Sequence, residues 1–251
     1  MNVKAILFIV FASLLVGNRA GAEPSSIIGY AYDTRNGTLF YTESYHNQYD
    51  EKGLLKSSRV LYQSADNSTR LAEKTLHYKK HSYAPELSFI NFAADYEESI
   101  KWLAADTVVI GKREPGDKMV QRQLKVTEPV VADAGFDLFL KDHMDTLLSG
   151  KNLEFNFLNP ARLDWFRFCA QAVEQSPSTI TLRVYPGNSL LRWLLDPILL
   201  TYELPNSPHQ QPRLLYYNGL TNMSLSGERP LEANIFYEYE QAPPQQIVNL
   251  F

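Results

Sequence analysis

The stretch Ile27-Ile28-Gly29-Tyr30-Ala31-Tyr32-Asp33-Thr34-Arg35-Asn36-Gly37-Thr38-Leu39-Phe40-Tyr41-Thr42-Glu43-Ser44-Tyr45 decides the fold. Two strand-forming runs, Ile27 to Asp33 and Thr38 to Tyr45, flank Thr34-Arg35-Asn36-Gly37, and Asn-Gly tolerates positive φ at low cost. The stretch is therefore an antiparallel hairpin. The same grammar recurs at Ser58 to Ser64 with Arg70 to Tyr78 around Ala65-Asp66-Asn67-Ser68-Thr69, and at Thr107 to Arg113 with Lys118 to Thr127 around Glu114-Pro115-Gly116-Asp117. Sequential hairpins of this kind build a meander.

Farther along, period-two alternation places apolar side chains on one face of each strand. Leu153, Phe155 and Phe157 oppose Asn152, Glu154 and Asn156; Ile180, Leu182 and Val184 oppose Thr179, Thr181 and Arg183. Ala233, Ile235, Tyr237 and Tyr239 alternate with Glu232, Asn234, Glu238 and Glu240, with Phe236 interrupting the polar side. Arg162 to Ala170, Ile198 to Leu204 and Arg213 to Asn218 add further strands. One convincing helix interrupts them: from Asp133 as N-cap, Phe136, Phe139, Leu140, Met144, Leu147 and Leu148 recur at helical spacing, and Gly150 stops the run. A shorter helical turn is expected from Ser189 to Leu195, ended by Pro197. The expected fold is mainly β (α+β): a large curved antiparallel sheet or partial barrel carrying one amphipathic helix near 133–149, in a single domain over 23–251. Glu128-Pro129 and the Pro205 to Pro212 loop are the nearest things to seams, and no fixed repeat period is present.

The first 22 residues have a basic start at Lys4, an apolar run from Ala5 through Val16 and the small residues Ala20-Gly21-Ala22, the pattern of a secretory signal peptide cleaved near Ala22. The run is shorter than the roughly 20 residues of a membrane anchor. Its removal takes away Lys4 and Arg19, leaving 22 basic residues against 28 acidic ones and a net charge of about −6. That balance disfavours nucleic-acid and anionic-lipid surfaces as partners. The single cysteine, Cys169, precludes an internal disulfide and reads as a buried apolar residue, so packing must hold the fold. Sequons occur at Asn36, Asn67 and Asn222, where turn chemistry explains the first two asparagines without sugar. The short leader and the lack of disulfides point to the periplasm.

No catalytic motif stands out. His77 and His81 are four apart, but on a strand that spacing spans about 13 Å, too far for one metal ion, so no metal site is assigned. Asp142 and His143 are adjacent and diverge by about 100° around a helix, which leaves His143 a structural histidine and a hydrolase using it with the helix carboxylates Asp137, Asp142 and Asp145 a minor alternative. Glu97-Glu98 near Asp95 lacks EF-hand spacing and reads as a solvated turn. The terminal Phe251 suggests an outer-membrane barrel, yet Asn249, Gln245, Pro243 and Pro244 break its alternation. Tyrosine is abundant, at 15 residues, and aromatics on a concave sheet line apolar pockets. The candidate ligand-binding residues are Tyr41, Tyr62, Phe155, Phe157, Trp165, Tyr216 and Tyr237, with no catalytic residue and no cofactor assigned.

Gly29-Tyr30-Ala31-Tyr32-Asp33 with Leu39-Phe40-Tyr41-Thr42-Glu43, and Pro197-Ile198-Leu199-Leu200-Thr201-Tyr202 with Arg213 through Asn222, resemble uncharacterised exported bacterial proteins. In architecture the chain also resembles the LolA/LolB lipoprotein carriers, which implies a cavity that shields acyl chains. The expected function is a periplasmic, non-catalytic binding or carrier protein for an apolar ligand such as a lipid. The alternative is an envelope-assembly or protein-interaction module that pairs through a sheet edge.

Overall fold

The computed structural model describes residues 24–189, 196–207, 210–226 and 230–241. The signal peptide expected over 1–22, the helical turn expected at 189–195 apart from Ser189, and the terminal Phe251 lie outside the described residues. In chain order the elements are β1 (Pro24–Asp33), β2 (Leu39–Tyr49), β3 (Leu55–Ser64), β4 (Arg70–His77), β5 (Glu86–Asn91), β6 (Tyr96–Trp102), β7 (Thr107–Arg113) and β8 (Val120–Lys125). Then come β9 (Val130–Val131), α1 (Gly135–Asp142), α2 (Met144–Leu148), β10 (Leu153–Asn159), a 3-10 turn at Pro160–Arg162, and β11 (Asp164–Gln175). The chain finishes with β12 (Thr179–Pro186), β13 (Ile198–Glu203), β14 (Arg213–Leu220) and β15 (Glu232–Gln241).

All 15 strands share one sheet, in the order β8-β7-β6-β5-β4-β3-β2-β1-β15-β14-β13-β12-β11-β10-β9. The described chain thus starts in the middle, meanders out to β8, crosses to the opposite margin at β9, and meanders back until β15 pairs antiparallel with β1. Every pairing is antiparallel except β9 beside β10. The crossing dictates the curvature. Only residues 126–129 join the two margins, and Lys125 to Val130 spans no more than about 18 Å even when fully extended. The sheet must therefore curl until its ends nearly meet. Arg122 on β8 bridges the remaining gap, donating to the Leu163 carbonyl at 3.1 Å and to Asp164 at 3.0 Å. The result is a curved, unclosed, barrel-like sheet, mainly β as expected.

The three hairpins form as their turn residues require. Gly37, Asn67 and Gly116 sit at φ of 72°, 57° and 75°, the conformation that Gly and Asn adopt most cheaply. Inward positions alternate along each strand, and Ile27, Ala31, Tyr41, Val60, Tyr62, Leu76, Phe89 and Ile100 are all buried on the concave side. The helices cover that side with Phe136, Phe139, Leu140 and Leu147, and the rings of Phe136 and Phe139 lie 5.0 and 5.5 Å from Phe155.

Three expectations need correction. Strands β5 and β6 were not anticipated, and Glu97-Glu98 is not a solvated turn: it lies within β6, where the period of two sends Glu97 out to Arg113 at 2.9 Å and Glu98 into the core. Asp133 is not the N-cap. That position is Ala134 with no side-chain cap; the Asp133 carboxylate accepts from Lys74 through Oδ2 and from the adjacent Ala134 N–H through Oδ1, both at 2.7 Å. The helix is also not continuous, since the backbone breaks at His143 (φ −110°, ψ 17°) to give α1 and α2.

Helix α1 seats so closely that a Cβ at Gly135 would fall 2.2 Å from the Tyr83 carbonyl oxygen and 2.6 Å from Pro85 Cδ. The Tyr83 backbone and the rigid Pro85 ring leave no route for relief. Gly135→Ala is therefore expected to cost about 2–4 kcal/mol, a fall in Tm of roughly 5–15 °C. Gly150→Ala, which meets open space at φ 79°, should cost about 1 kcal/mol. Thermal melts of the two variants check the contrast.

Candidate binding site

In the interior of three strands a charge stands where the alternation calls for an apolar side chain. Glu43 lies between Tyr41 and Tyr45 on β2, Lys74 between Ala72 and Leu76 on β4, and Glu98 between Tyr96 and Ile100 on β6. All three point to the concave side and are at most 3% exposed. Lys74 donates to Asp133 at 2.7 Å and lies over the Tyr62 and Phe89 rings at 5.9 and 5.5 Å. On the other half of the sheet, Asp137 of α1 pairs with Lys141 at 2.6 Å and accepts from the Tyr202 hydroxyl of β13 at 2.9 Å. Two buried polar contacts therefore tether the helical segment, one to each half.

The two glutamates have weaker company. Glu43 accepts from the Tyr45 hydroxyl and Glu98 from the Tyr96 hydroxyl at 2.7 Å. Glu43 Oε1 and Glu98 Oε2 have no hydrogen-bond partner among the described residues. Burial pushes both carboxyls up to about 7; the tyrosine hydrogen bonds and the Lys74 charge pull the other way, and the Asp133 charge adds to the rise. Tyr41, Tyr45, Tyr217 and Tyr237 surround Glu43, and burial holds each phenol well above its usual range.

The seven residues proposed from sequence divide between the two faces. Tyr41, Tyr62, Phe155, Phe157 and Tyr237 lie on the concave side at 5% exposure or less, resting on aromatic neighbours: Tyr41 on Tyr62 at 5.8 Å, Tyr237 on Tyr45 at 6.3 Å, and Phe155 and Phe157 on Phe168 at 6.2 Å. Trp165 and Tyr216 lie on the other face. Trp165 pairs with Leu158, one residue out of phase with Phe157, and Tyr216 packs at 5.1 Å against Phe236, which is 49% exposed. A one-residue phase difference separates them from the concavity. Sequence reasoning missed Lys74, Glu98 and Asp133; the signal available was the lone charge at an apolar phase.

Solvent reaches this region through a cleft of about 760 Å³ between the β2–β3 turn, residues 78–82 and α1. Leu54, Leu55 and Leu138 give it apolar walls, and exposed Lys56 and Lys79 stand at its rim. Asp142 at the rim accepts from the Tyr83 hydroxyl at 3.0 Å. Tyr78 forms part of the lining, is 8% exposed and has a hydroxyl without a partner among the described residues. Burial raises that phenol above its usual range, and the charges of Asp133 and Asp137 add to the rise.

The other sequence candidates are structural. His143 Nδ1 donates to the Phe139 carbonyl at 2.8 Å, and its neighbour Asp142 is turned to Tyr83, so the two have separate partners. His77 is exposed at the end of β4, and His81 stacks on Trp102 at 3.7 Å. Among the described residues no group of three or more His, Cys, Asp or Glu side chains gathers as metal ligands. Cys169 is buried, as is Asn222 of the third sequon, while Asn36 and Asn67 are exposed.

Two consequences are testable. Lys74→Met should destabilise by about 3–5 kcal/mol because it strands Asp133, and adding Asp133→Asn should recover much of the loss, as a double-mutant cycle in urea would show. The glutamates set a pH dependence of known sign. Each binds its proton more tightly when folded (about 7) than when unfolded (4.5), so stability is full below about pH 4.5 and falls as the pH rises to 7. Glu43→Gln or Glu98→Gln should therefore raise Tm by several degrees at pH 8 and leave it nearly unchanged at pH 4.5, each substitution removing roughly 3 kcal/mol of pH-dependent cost.

Comparison with known proteins returns no match to a family model and none to a curated protein. A solved structure to which the chain is similar is the "Crystal Structure of Beta-barrel-like Protein of Domain of Unknown Function DUF1849 from Brucella abortus", at a TM-score of 0.39 and 7% identity, over 88% of this chain and 100% of that one.

Proposed function

We propose that the protein is a non-catalytic binding or carrier domain for an amphiphile such as a lipid, working in the periplasm after export. The cleft beside α1 carries this reading. Its size is that of a small-molecule site, and its leucine walls with a lysine rim suit an alkyl chain bearing a polar head. The aromatic concave wall beneath α1 supports it. Export is supported by the sequence over residues 1–22, so protein recovered from its own host should begin at Glu23 on N-terminal sequencing.

An interaction module has one observation in its favour. Strand β8 is a sheet margin, largely exposed, with Val120 at 54% and Met119 just before it at 37% exposure. However, Lys118, Arg122 and Lys125 supply the charges that keep natural sheet edges from pairing. The cleft is the better-built site.

The test is titration of delipidated protein with a dansyl-labelled undecanoic acid. Saturable binding is expected, weakened about tenfold or more by Leu138→Asp, which removes apolar burial from the wall. Absence of saturable binding, or equal affinity in a variant with unchanged circular dichroism, would reject the proposal.

A further inference from the structure

The wall around Glu43 is built like a receptor. Glu43 is 0% exposed and is ringed by Tyr41, Tyr45, Tyr217 and Tyr237, all at 5% or less. Tyr45 donates to it, and Tyr217 donates to the Leu220 carbonyl at 2.5 Å. Three oxygens are left: Glu43 Oε1, Tyr41 Oη and Tyr237 Oη are buried and have no hydrogen-bond partner among the described residues. Tyr41 Oη approaches Glu43 and Thr221, and Tyr237 Oη approaches Tyr45, without completing a bond. After burial, the Glu43 charge is the strongest influence on Tyr41, Tyr45, Tyr217 and Tyr237, which places all four phenols close about one carboxyl. Gly29 forms the floor. A Cβ there would fall 2.9 Å from the Tyr237 ring and 3.2 Å from Glu43 Oε2, so the missing side chain is what lets these two groups lie over the backbone.

The same wall already shows what such a setting accepts. Two strands away, the Lys74 ammonium is wholly buried, held by one carboxylate and flanked by two aromatic rings. At Glu43 the carboxylate and the aromatics are present, and the three open acceptors equal in number the three N–H donors of an –NH₃⁺ group. A quaternary ammonium has no N–H to offer them, and a guanidinium has five in a rigid plane. Residues Thr221–Ser224, outside any strand, pack buried beside Tyr41 and are held by bonds such as Asn91 Nδ2 to the Ser224 carbonyl at 2.9 Å.

We propose that Glu43, Tyr41 and Tyr237 form an internal receptor for a primary ammonium group. This goes beyond the reading of the α1 cleft, whose lining does not include these residues, and it is tested without any lipid. Proton and ammonium compete for the same carboxylate. Binding should therefore weaken by about tenfold per pH unit below 7 and level off above it, with Lys74 and Asp133 the other charges acting on Glu43.

Isothermal titration of the full protein at pH 8 with ethanolamine, tetramethylammonium chloride and potassium chloride distinguishes the cases. Saturable binding of ethanolamine alone is expected, reduced about ten- to hundredfold in Glu43→Gln, less in Tyr237→Phe, and unchanged in Glu98→Gln. No ethanolamine binding, equal binding of tetramethylammonium or potassium, or binding that survives Glu43→Gln each overturns the proposal. Thermal melts of the same samples confirm that each variant is folded. Ethanolamine binding without uptake of the labelled fatty acid would keep this inference and reject the lipid carrier; uptake that is indifferent to Glu43 would do the reverse.

Discussion

The buried ion pair between Lys74 and Asp133 is the contact on which the arrangement of this molecule depends. A long sheet of this kind has a strong tendency to curl, but curling by itself leaves a concave wall that something must cover. Here the cover is a short helical segment, and it is positioned by charge as much as by grease. Lys74 fixes the residue just before α1 to β4 at 2.7 Å, while Asp137, held by Lys141, reaches Tyr202 on β13. A buried ion pair is weak evidence for stability because desolvation offsets most of its Coulomb energy. Its effect is on position: a helix displaced by a single turn would leave Lys74 and Asp133 in the core without each other and would take Asp137 away from the Tyr202 hydroxyl.

Asp133 shows the cost of this arrangement locally. It takes a left-handed backbone conformation at φ 44°, and its side chain serves Lys74 instead of capping the helix. Aspartate tolerates that conformation better than most residues, and the ion pair holds it there. The helix begins without a side-chain cap, against backbone at Tyr83 that only a glycine at position 135 can approach. Tertiary contact has replaced the usual local signals.

The concavity is neither a simple oily pocket nor a uniformly dry core. Its aromatic residues pack on one another, and buried polar groups stand among them around Lys74 with Asp133, Asp137 with Lys141 and Tyr202, Glu43, and Glu98. Low dielectric makes these groups consequential, since an unmatched polar atom there is expensive and a matched charge is strongly held. The cleft beside α1 ends against Tyr78, on whose phenol the charges of Asp133 and Asp137 both act.

The sequence by itself determined the hairpins, because Asn36-Gly37, Asn67 and Gly116 supply the positive φ that tight turns need, and it determined which side chains share a face, because strand periodicity is a local property. It also located the helical segment and placed Leu153, Phe155, Phe157, Ile180, Leu182 and Val184 on the buried side. Only the tertiary structure decided which face of β11 and β14 turns inward, and so separated Trp165 and Tyr216 from Tyr41, Tyr62 and Tyr237. It likewise revealed that Glu43, Lys74, Glu98 and Asp133 are core residues. A charge in an alternating strand looks like a surface residue until its surroundings are known: the partner of Lys74 is Asp133, 59 positions away, and the Lys74 and Asp133 charges act in turn on Glu43 and Glu98. Periodicity is carried by neighbours in the chain, whereas charge compensation is a property of space, and the curl of the sheet is what brings the compensating groups together.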